Sequence, residues 1–379
     1  MTRTPAPFPF AALLLTALGV LGPAPAQEPQ RRGSSNEQLL DEPLRAAVTR
    51  GLDWLAEHQH PDGYWAELVG YKLNTDYEAM DDRPQPHVGV TSLALMSFLA
   101  GGHVPDRGKY GAVLHRGIDF VLRSTQDDGQ ITAYGTRMYS HAFATLFLAE
   151  AYGMVERADV KQSLQRAVDL IVDSQNAEGG WRYRPFARES DMSITVCQVL
   201  ALRSARNVGI HVPINTIRNA QSYVYRSAVR SNDRRYVYRG HQGYGDEGGS
   251  FRYQNREHTR ATFPLTAAGV TTLYAAGEYD SQIIRDALEY MDREVDSFSN
   301  DWQDHYFFYY GHYYAVQAYY ITGDPKWTTY FRKIKARLLD RQRRDGSWPC
   351  RVGPGEAFST AVATLILQIP LQYLPIFQR

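Results

Sequence analysis

The chain has 379 residues, as many acidic as basic side chains (41 of each), and only two cysteines. Zero net charge and a pI near 7.2 give no bulk electrostatic attraction for nucleic acid or anionic membranes, and two cysteines cannot staple a fold of this size. Cys197 and Cys350 could pair in an oxidising compartment, but Cys197 lies in an apolar helical run and reads better as a buried thiol.

The chain begins with Arg3, a short apolar run over Ala11–Leu21, and small residues at Ala24-Pro25-Ala26. That order predicts a secretory signal over 1–26, since the apolar run is too short to span a bilayer. A periplasmic or secreted location follows as an expectation, with no membrane span after cleavage. Residues 27–40 are polar and expected to form a flexible leader. The rest, 41–379, is long enough for one large domain with a sizeable core.

Six helix pairs are predicted in that remainder. The first joins Pro43–Gln59 to His87–Ala100 through a long polar loop. The second joins Lys109–Thr125 to Tyr139–Tyr152, and the third joins Asp159–Ser174 to Asp191–Arg206. Pair four runs from Pro213–Val229, through a long Arg, Tyr and Gly-rich loop, to Arg260–Ala276. Pairs five and six are Ser281–Asp296 with Asp304–Ile321, and Pro325–Gln342 with Phe358–Leu371. The first helix of each pair is amphipathic. The second is apolar nearly all round, as in Leu93–Ala100, and must be buried on most of its faces. Alternation of the two kinds fits an inner ring of helices within an outer ring, an all-α (α/α)6 toroid. An open solenoid would not need second helices so uniformly apolar.

A repeat unit marks the joints. Arg50–Trp65 (RGLDWLAEHQHPDGYW) ends in a turn-forming Pro-Asp-Gly, and Arg166–Trp181 and Lys333–Trp348 keep its spacing from the basic residue through Gln to Gly-x-Trp. Arg116–Ile131 follows with one insertion and Ile131 in place of Trp. Gly249-Ser250-Phe251 is a faint echo, and the fifth repeat lacks the unit.

This unit resembles the QW repeat of squalene–hopene cyclases and related terpenoid cyclases, a superfamily that also contains protein prenyltransferase β subunits and shares an α/α-toroid fold. The resemblance covers essentially the whole mature chain and implies that Gln59, Trp65, Gln175, Trp181, Gln342 and Trp348 tie the outer helices together. The segment Asp191–Leu202 is similar to the cyclases' Asp-x-Asp-Asp-Thr-Ala motif, with Asp191 on the first Asp but Ser193 and Ile194 replacing the next two. A hydroxyl is no acid for an alkene, so the resemblance implies a cyclase-like protein without squalene-type protonation. The prenyltransferase zinc pattern is also missing.

In such a toroid the N-termini of the inner helices gather at one mouth, and so do the long loops 66–86 and 231–257. His87, Tyr139, His141, Asp191, Ser193, His258, Thr259, Asp304, His305 and Glu356 would then meet at one rim. Asp191, His141, His258 and His305 are the candidates for acid, base or metal roles. The competing reading makes Asp191, Ser193, Thr259 and Asp304 helix N-caps and the histidines the lining of a solvated funnel. No HExxH or CxxC spacing names a metal, and no cofactor is specified. The inner helix Asp304–Ile321 carries aromatics on nearly every face; with Tyr139 and Ser193, its Tyr309, Tyr313 and His312 are candidate ligand contacts in a central aromatic cavity. The expectation is an exported protein binding, or transforming, an apolar or isoprenoid-like ligand. The alternative is a non-enzymatic scaffold that holds protein or glycan through its mouth loops.

Overall fold

The computed structural model describes residues 33–73, 76–155, 157–230, 248–256 and 259–377. A short helix α1 (Gly33–Leu39) precedes six outer helices: α2 (Glu42–Glu57), α4 (Gly111–Arg123), α6 (Ala158–Asp173), α8 (Ile214–Ser227), α10 (Gln282–Asp301) and α12 (Lys326–Arg341). Between them run six inner helices: α3 (Val88–Ala100), α5 (Met138–Tyr152), α7 (Met192–Asn207), α9 (Phe263–Ala275), α11 (Tyr306–Thr322) and α13 (Glu356–Gln368). Each inner helix packs on the next, and α13 packs back on α3, so the ring is closed. The toroid expected from the alternation of helix types is the fold observed.

The alternation has a direct physical cause. Every residue of α3 and of Tyr306–Ile321 in α11 is buried, whereas α4 buries only Gly111 at its start and the stripe of Val113, Leu114, Gly117, Ile118, Phe120 and Val121. Residues 33–39, expected in a flexible leader, instead form α1. Its Leu39 is buried, and Asn36 Oδ1 accepts from Trp327 Nε1 at 3.0 Å. The predicted signal segment lies outside the described residues. No helix among those described is long and apolar enough to cross a membrane.

The QW-like units make the joints. The indole N–H of Trp65, Trp181 and Trp348 donates to the carbonyls of Leu55, Ile171 and Leu338 at 2.9, 2.7 and 2.8 Å. The amides of Gln59, Gln175 and Gln342 reach across to carbonyls of the next outer helix: Val113 at 2.9 Å, Thr216 at 2.9 Å and Ala47 at 2.8 Å. The last of these, from the sixth repeat to the first, closes the outer ring. The faint fourth repeat keeps the geometry: Phe251 N donates to Thr266 Oγ1 at 3.1 Å, as Trp65 N does to Thr91 and Trp348 N to Thr360. Repeat five uses ion pairs instead, Lys333–Asp296 at 2.7 Å and Arg341–Asp304.

The loop after α2 folds into four short strands. β1 (Ala66–Glu67) pairs with β4 (Gln85–Pro86), and β2 (Gly70–Leu73) pairs with β3 (Asp76–Ala79), both antiparallel. This flap lies over the N-terminal ends of the inner helices.

Candidate functional site

The first turns of four inner helices and the flap enclose a cavity of about 290 Å3. α3 contributes Gly89, Val90 and Leu93, preceded by His87. α5 contributes Tyr139, Ser140 and Phe143, preceded by Arg137. Tyr306 and Tyr310 come from α11 and Phe358 from α13, while Tyr71 and Tyr77 descend from the flap and Tyr183 from the loop before α7. Helices that enter one cavity through their first turns have their N-termini at one end, as the sequence predicted.

The wall is aromatic and cross-braced. Tyr139 meets Tyr310 edge-on at 6.5 Å and Tyr183 at 6.2 Å, and Tyr77 leans on Tyr306 at 6.0 Å. The Tyr77 hydroxyl donates to Leu68 O at 2.7 Å, which ties the flap down. The Arg137 guanidinium lies 3.8 Å from the centre of the Tyr71 ring. Burial holds the phenols of Tyr77, Tyr139 and Tyr310 well above their usual range, raises that of Tyr183, and pulls His87 down to about 4. All five are therefore neutral near pH 7. Arg137 is the one formal charge on the wall among the described residues, and no carboxylate lines it.

Of the eight candidate residues that are described, one lines this cavity. It is Tyr139. Asp191 is the N-cap of α7, with Oδ1 accepting from Ile194 N at 2.9 Å and from Ser193 Oγ at 2.6 Å. Its charge helps raise the pKa of Tyr139, Tyr183 and Tyr310, after burial, so it sits one layer behind the wall those rings make. Ser193 is buried against it and does not reach the cavity. His141 is fully buried between two backbones: Nδ1 accepts from Ile131 N at 3.0 Å, and Nε2 faces Ala167 O at 3.3 Å. In the second repeat it takes the place of the threonine that caps Trp65, Trp181 and Trp348, so it serves as a joint of the fold and lies off the cavity.

His305 caps α11, its Nδ1 accepting from Phe307 N at 3.0 Å, and does not line the cavity. His258 lies outside the described residues. His312 is turned outward between Ser299 Oγ at 3.1 Å and Tyr330 OH at 2.8 Å, and burial lowers its pKa to about 3. It is a satisfied core histidine. Tyr309 donates to Pro349 O at 2.8 Å, and Tyr313 packs behind Phe143 at 6.0 Å. Both belong to the core, because α11 is buried all round and presents to the cavity only Tyr306 and Tyr310. Of the residues read as N-caps, Asp191 is one, whereas α11 is capped by His305 in place of Asp304 and α9 by Thr262 in place of Thr259; His87, read as lining the funnel, caps α3 as well.

Sequence reasoning missed Arg137, Tyr71, Tyr77, Tyr306 and Tyr310. Tyr306 carried a signal as the first residue of α11, whereas nothing in the sequence set Tyr310, one turn on, apart from Tyr309 and Tyr313. The flap tyrosines carried none beyond sitting in a long loop. Among the described residues no group of three or more His, Cys, Asp or Glu could hold a metal ion. Cys197 and Cys350 are free thiols, and Cys197 Sγ lies 3.0 Å from Tyr314 OH.

Residues 36–148 match the model of the squalene-hopene cyclase C-terminal domain. Among solved structures the chain is similar to the type II terpene cyclase MstE from Scytonema in its apo form, with a TM-score of 0.55 and 13% identity over 88% of this chain and 99% of that one. A variant of the same cyclase holding geranylgeranyl dihydroxybenzoate gives a TM-score of 0.56 and 11% identity, covering 90% and 99% of the two chains. An inactive variant of an α-1,6-mannanase from Salegentibacter sp., in complex with α-1,6-mannotriose, gives 0.61 at 6% identity, covering 87% and 99%. No curated protein matches the chain. The likeness at these identities is one of fold, and it bears out the resemblance to the terpenoid-cyclase repeat superfamily at that level.

Proposed function

We propose that this toroid binds a small apolar, isoprenoid-like molecule in the cavity under the flap, and that it does so outside the cytoplasm after loss of residues 1–26. The observation that carries the reading is the wall itself: aromatic rings from three inner helices, the flap and the loop before α7, with no carboxylate among the described lining residues. Such a wall desolvates an apolar chain at little polar cost. The volume of about 290 Å3 suits a ligand of about ten heavy-atom groups, at roughly 30 Å3 each, and not a triterpene.

Binding is favoured over squalene-type cyclisation. Ser193 stands where the protonating carboxylate would be, and Asp191 is engaged as a helix cap behind the wall. Glycoside hydrolysis needs two carboxylates flanking the bond, and the described lining supplies none. The likeness to a mannanase supports a glycan only as a guest of the mouth loops.

The test is native mass spectrometry of the protein purified from its own host, beside a Leu93→Phe variant that fills the cavity floor. Leu93 is buried and lines the cavity, so the larger ring enters existing space. An apolar mass bound to the wild type and absent from a folded Leu93→Phe protein is the expected result. A wild type that is empty and also takes up no prenyl compound would end the reading, and a bound saccharide would replace it with the mouth-loop scaffold.

A further inference from the structure

Arg137 is set apart from the other cavity residues by what its charge lacks. Arg157, Arg182, Arg256 and Arg341 each pair with a carboxylate. Arg137 pairs with none among the described residues; its guanidinium lies over the Tyr71 ring instead, 3.8 Å from the ring centre. Stacking uses the π face of a guanidinium and leaves its rim of five N–H donors to other partners. The cation is half-buried at the cavity wall, no carboxylate among the described lining residues takes its donors, and they stay open to an acceptor that enters.

His87 adds a second donor to the same cavity. Its Nδ1 accepts from Val90 N at 3.2 Å, as the N-cap of α3. The ring is neutral near pH 7, so its proton is on Nε2, which therefore donates. The N-termini of α3 and α5, next to His87 and Arg137, also favour negative charge. The phenols are neutral, and no acidic side chain among the described lining residues opposes an anion. The fixed charge and the histidine edge therefore point one way.

We propose that the ligand is an amphiphile whose anionic head, a carboxylate or phosphate monoester, is held by Arg137 and His87 while its short prenyl tail lies among Tyr139, Phe143, Tyr310 and Phe358. The inference rests on the ligand-pocket reading above and adds the head group to it. It assigns Arg137 the role of selecting charged heads over neutral ones, with Tyr71 keeping the guanidinium in place.

Calorimetric titration of the full-length mature protein with geranic acid, geranyl monophosphate and geraniol separates the possibilities, because the three share a tail. The acid or the phosphate should bind at least about tenfold more tightly than the alcohol, as one charge-assisted contact allows. Arg137→Ala should erase that preference, bringing the three affinities within about twofold of one another, and Arg137→Lys should restore part of it. A preference for the phosphate over the acid would assign the head group as phosphate, and the reverse as carboxylate. Equal binding of all three by the wild type, or equal weakening of all three by Arg137→Ala, would overturn the anionic head and leave the apolar pocket standing. Binding of none would remove the pocket reading and this inference together. Circular dichroism of each variant shows that the fold is retained.

Discussion

At the scale of single residues, burial in this molecule decides which ionisable groups carry charge. Glu67, on β1, caps α13 by accepting from Ala357 N at 2.5 Å, in a niche that exists because Gly355 has no side chain. Burial pushes its carboxyl up to about 8 against the stabilising pull of the backbone N–H groups. A carboxyl raised in the folded state contributes stability that is full below its unfolded value of about 4.5 and is lost as pH climbs through about 8. His87, His141 and His312 act in the opposite sense: their depressed values give stability above pH about 6.5 that is lost as pH falls toward 4. Glu67→Gln, which keeps the shape and removes the titration, should therefore flatten the decline in unfolding free energy between pH 5 and 8 and leave the acid limb unchanged. Urea unfolding across that range checks it, and a slope identical to wild type would refute the coupling. The same burial explains why single-residue chemistry was poorly legible in the sequence. His141 and His312 look like ligands as letters, yet only packing reveals that backbone and hydroxyl partners already occupy both nitrogens.

At the scale of elements, each joint rests on a glycine that no other residue can replace. Gly63, Gly129, Gly179, Gly249 and Gly346 all have φ between 87° and 97°. An added Cβ at each would run into a backbone carbonyl of the next outer helix, from Arg116, Arg166, Asn219, Asp286 and Arg50 in turn. Gly277 shares the left-handed backbone, with φ of 90°, but faces open space. Gly277→Ala should thus cost about 1–2 kcal/mol from backbone strain alone. Gly346→Ala adds a backbone collision and should cost at least twice as much. Equal losses in urea unfolding would show that the close helix approach is not what this glycine serves. Three of these turns were legible in the sequence because the spacing Gln-x-x-x-Gly recurs at Gln59, Gln175 and Gln342; the two that end in Ile131 and Phe251 lack it and keep only the glycine two residues before the drifted Trp position. The flap strands were not: β2 and β3 are four-residue pieces whose pairing depends on lying over the cavity.

At the scale of the whole molecule, the outer ring is held by two kinds of joint. Where a QW-like unit is present, a glutamine amide spans the gap, as Gln342 does to Ala47 O at 2.8 Å and Gly346 O at 2.9 Å. Between α10 and α12 the contacts include exposed ion pairs such as Lys333–Asp296 at 2.7 Å. Hydrogen bonds of the first kind contribute about 1 kcal/mol each, whereas exposed pairs contribute from about zero to 1 kcal/mol and fade with salt. Gln342→Ala should lower stability by about 2 kcal/mol and speed amide exchange in α2 and α12, with α6 and α8 unchanged. Lys333→Ala should cost at most about half as much. Exchange that rises evenly around the ring in the glutamine variant would show that closure is not local to that joint.

The chain's own letters determined the toroid, because helix-length apolar runs alternating with amphipathic ones, joined by a recurrent turn, admit few packings. The same pattern located the joints and the end of the ring where the inner helices begin. Tertiary structure alone decided which of the nine described rim residues face the cavity. An inner helix buried on all sides has no face marked in its sequence, so the choice of Tyr306 and Tyr310 over Tyr309, Tyr313 and His312 is made by the neighbours it packs against. The same holds for Arg137. Its isolation from every described carboxylate, and its place over Tyr71, arise only when a flap folded from residues 66–86 comes down on the N-terminus of α5.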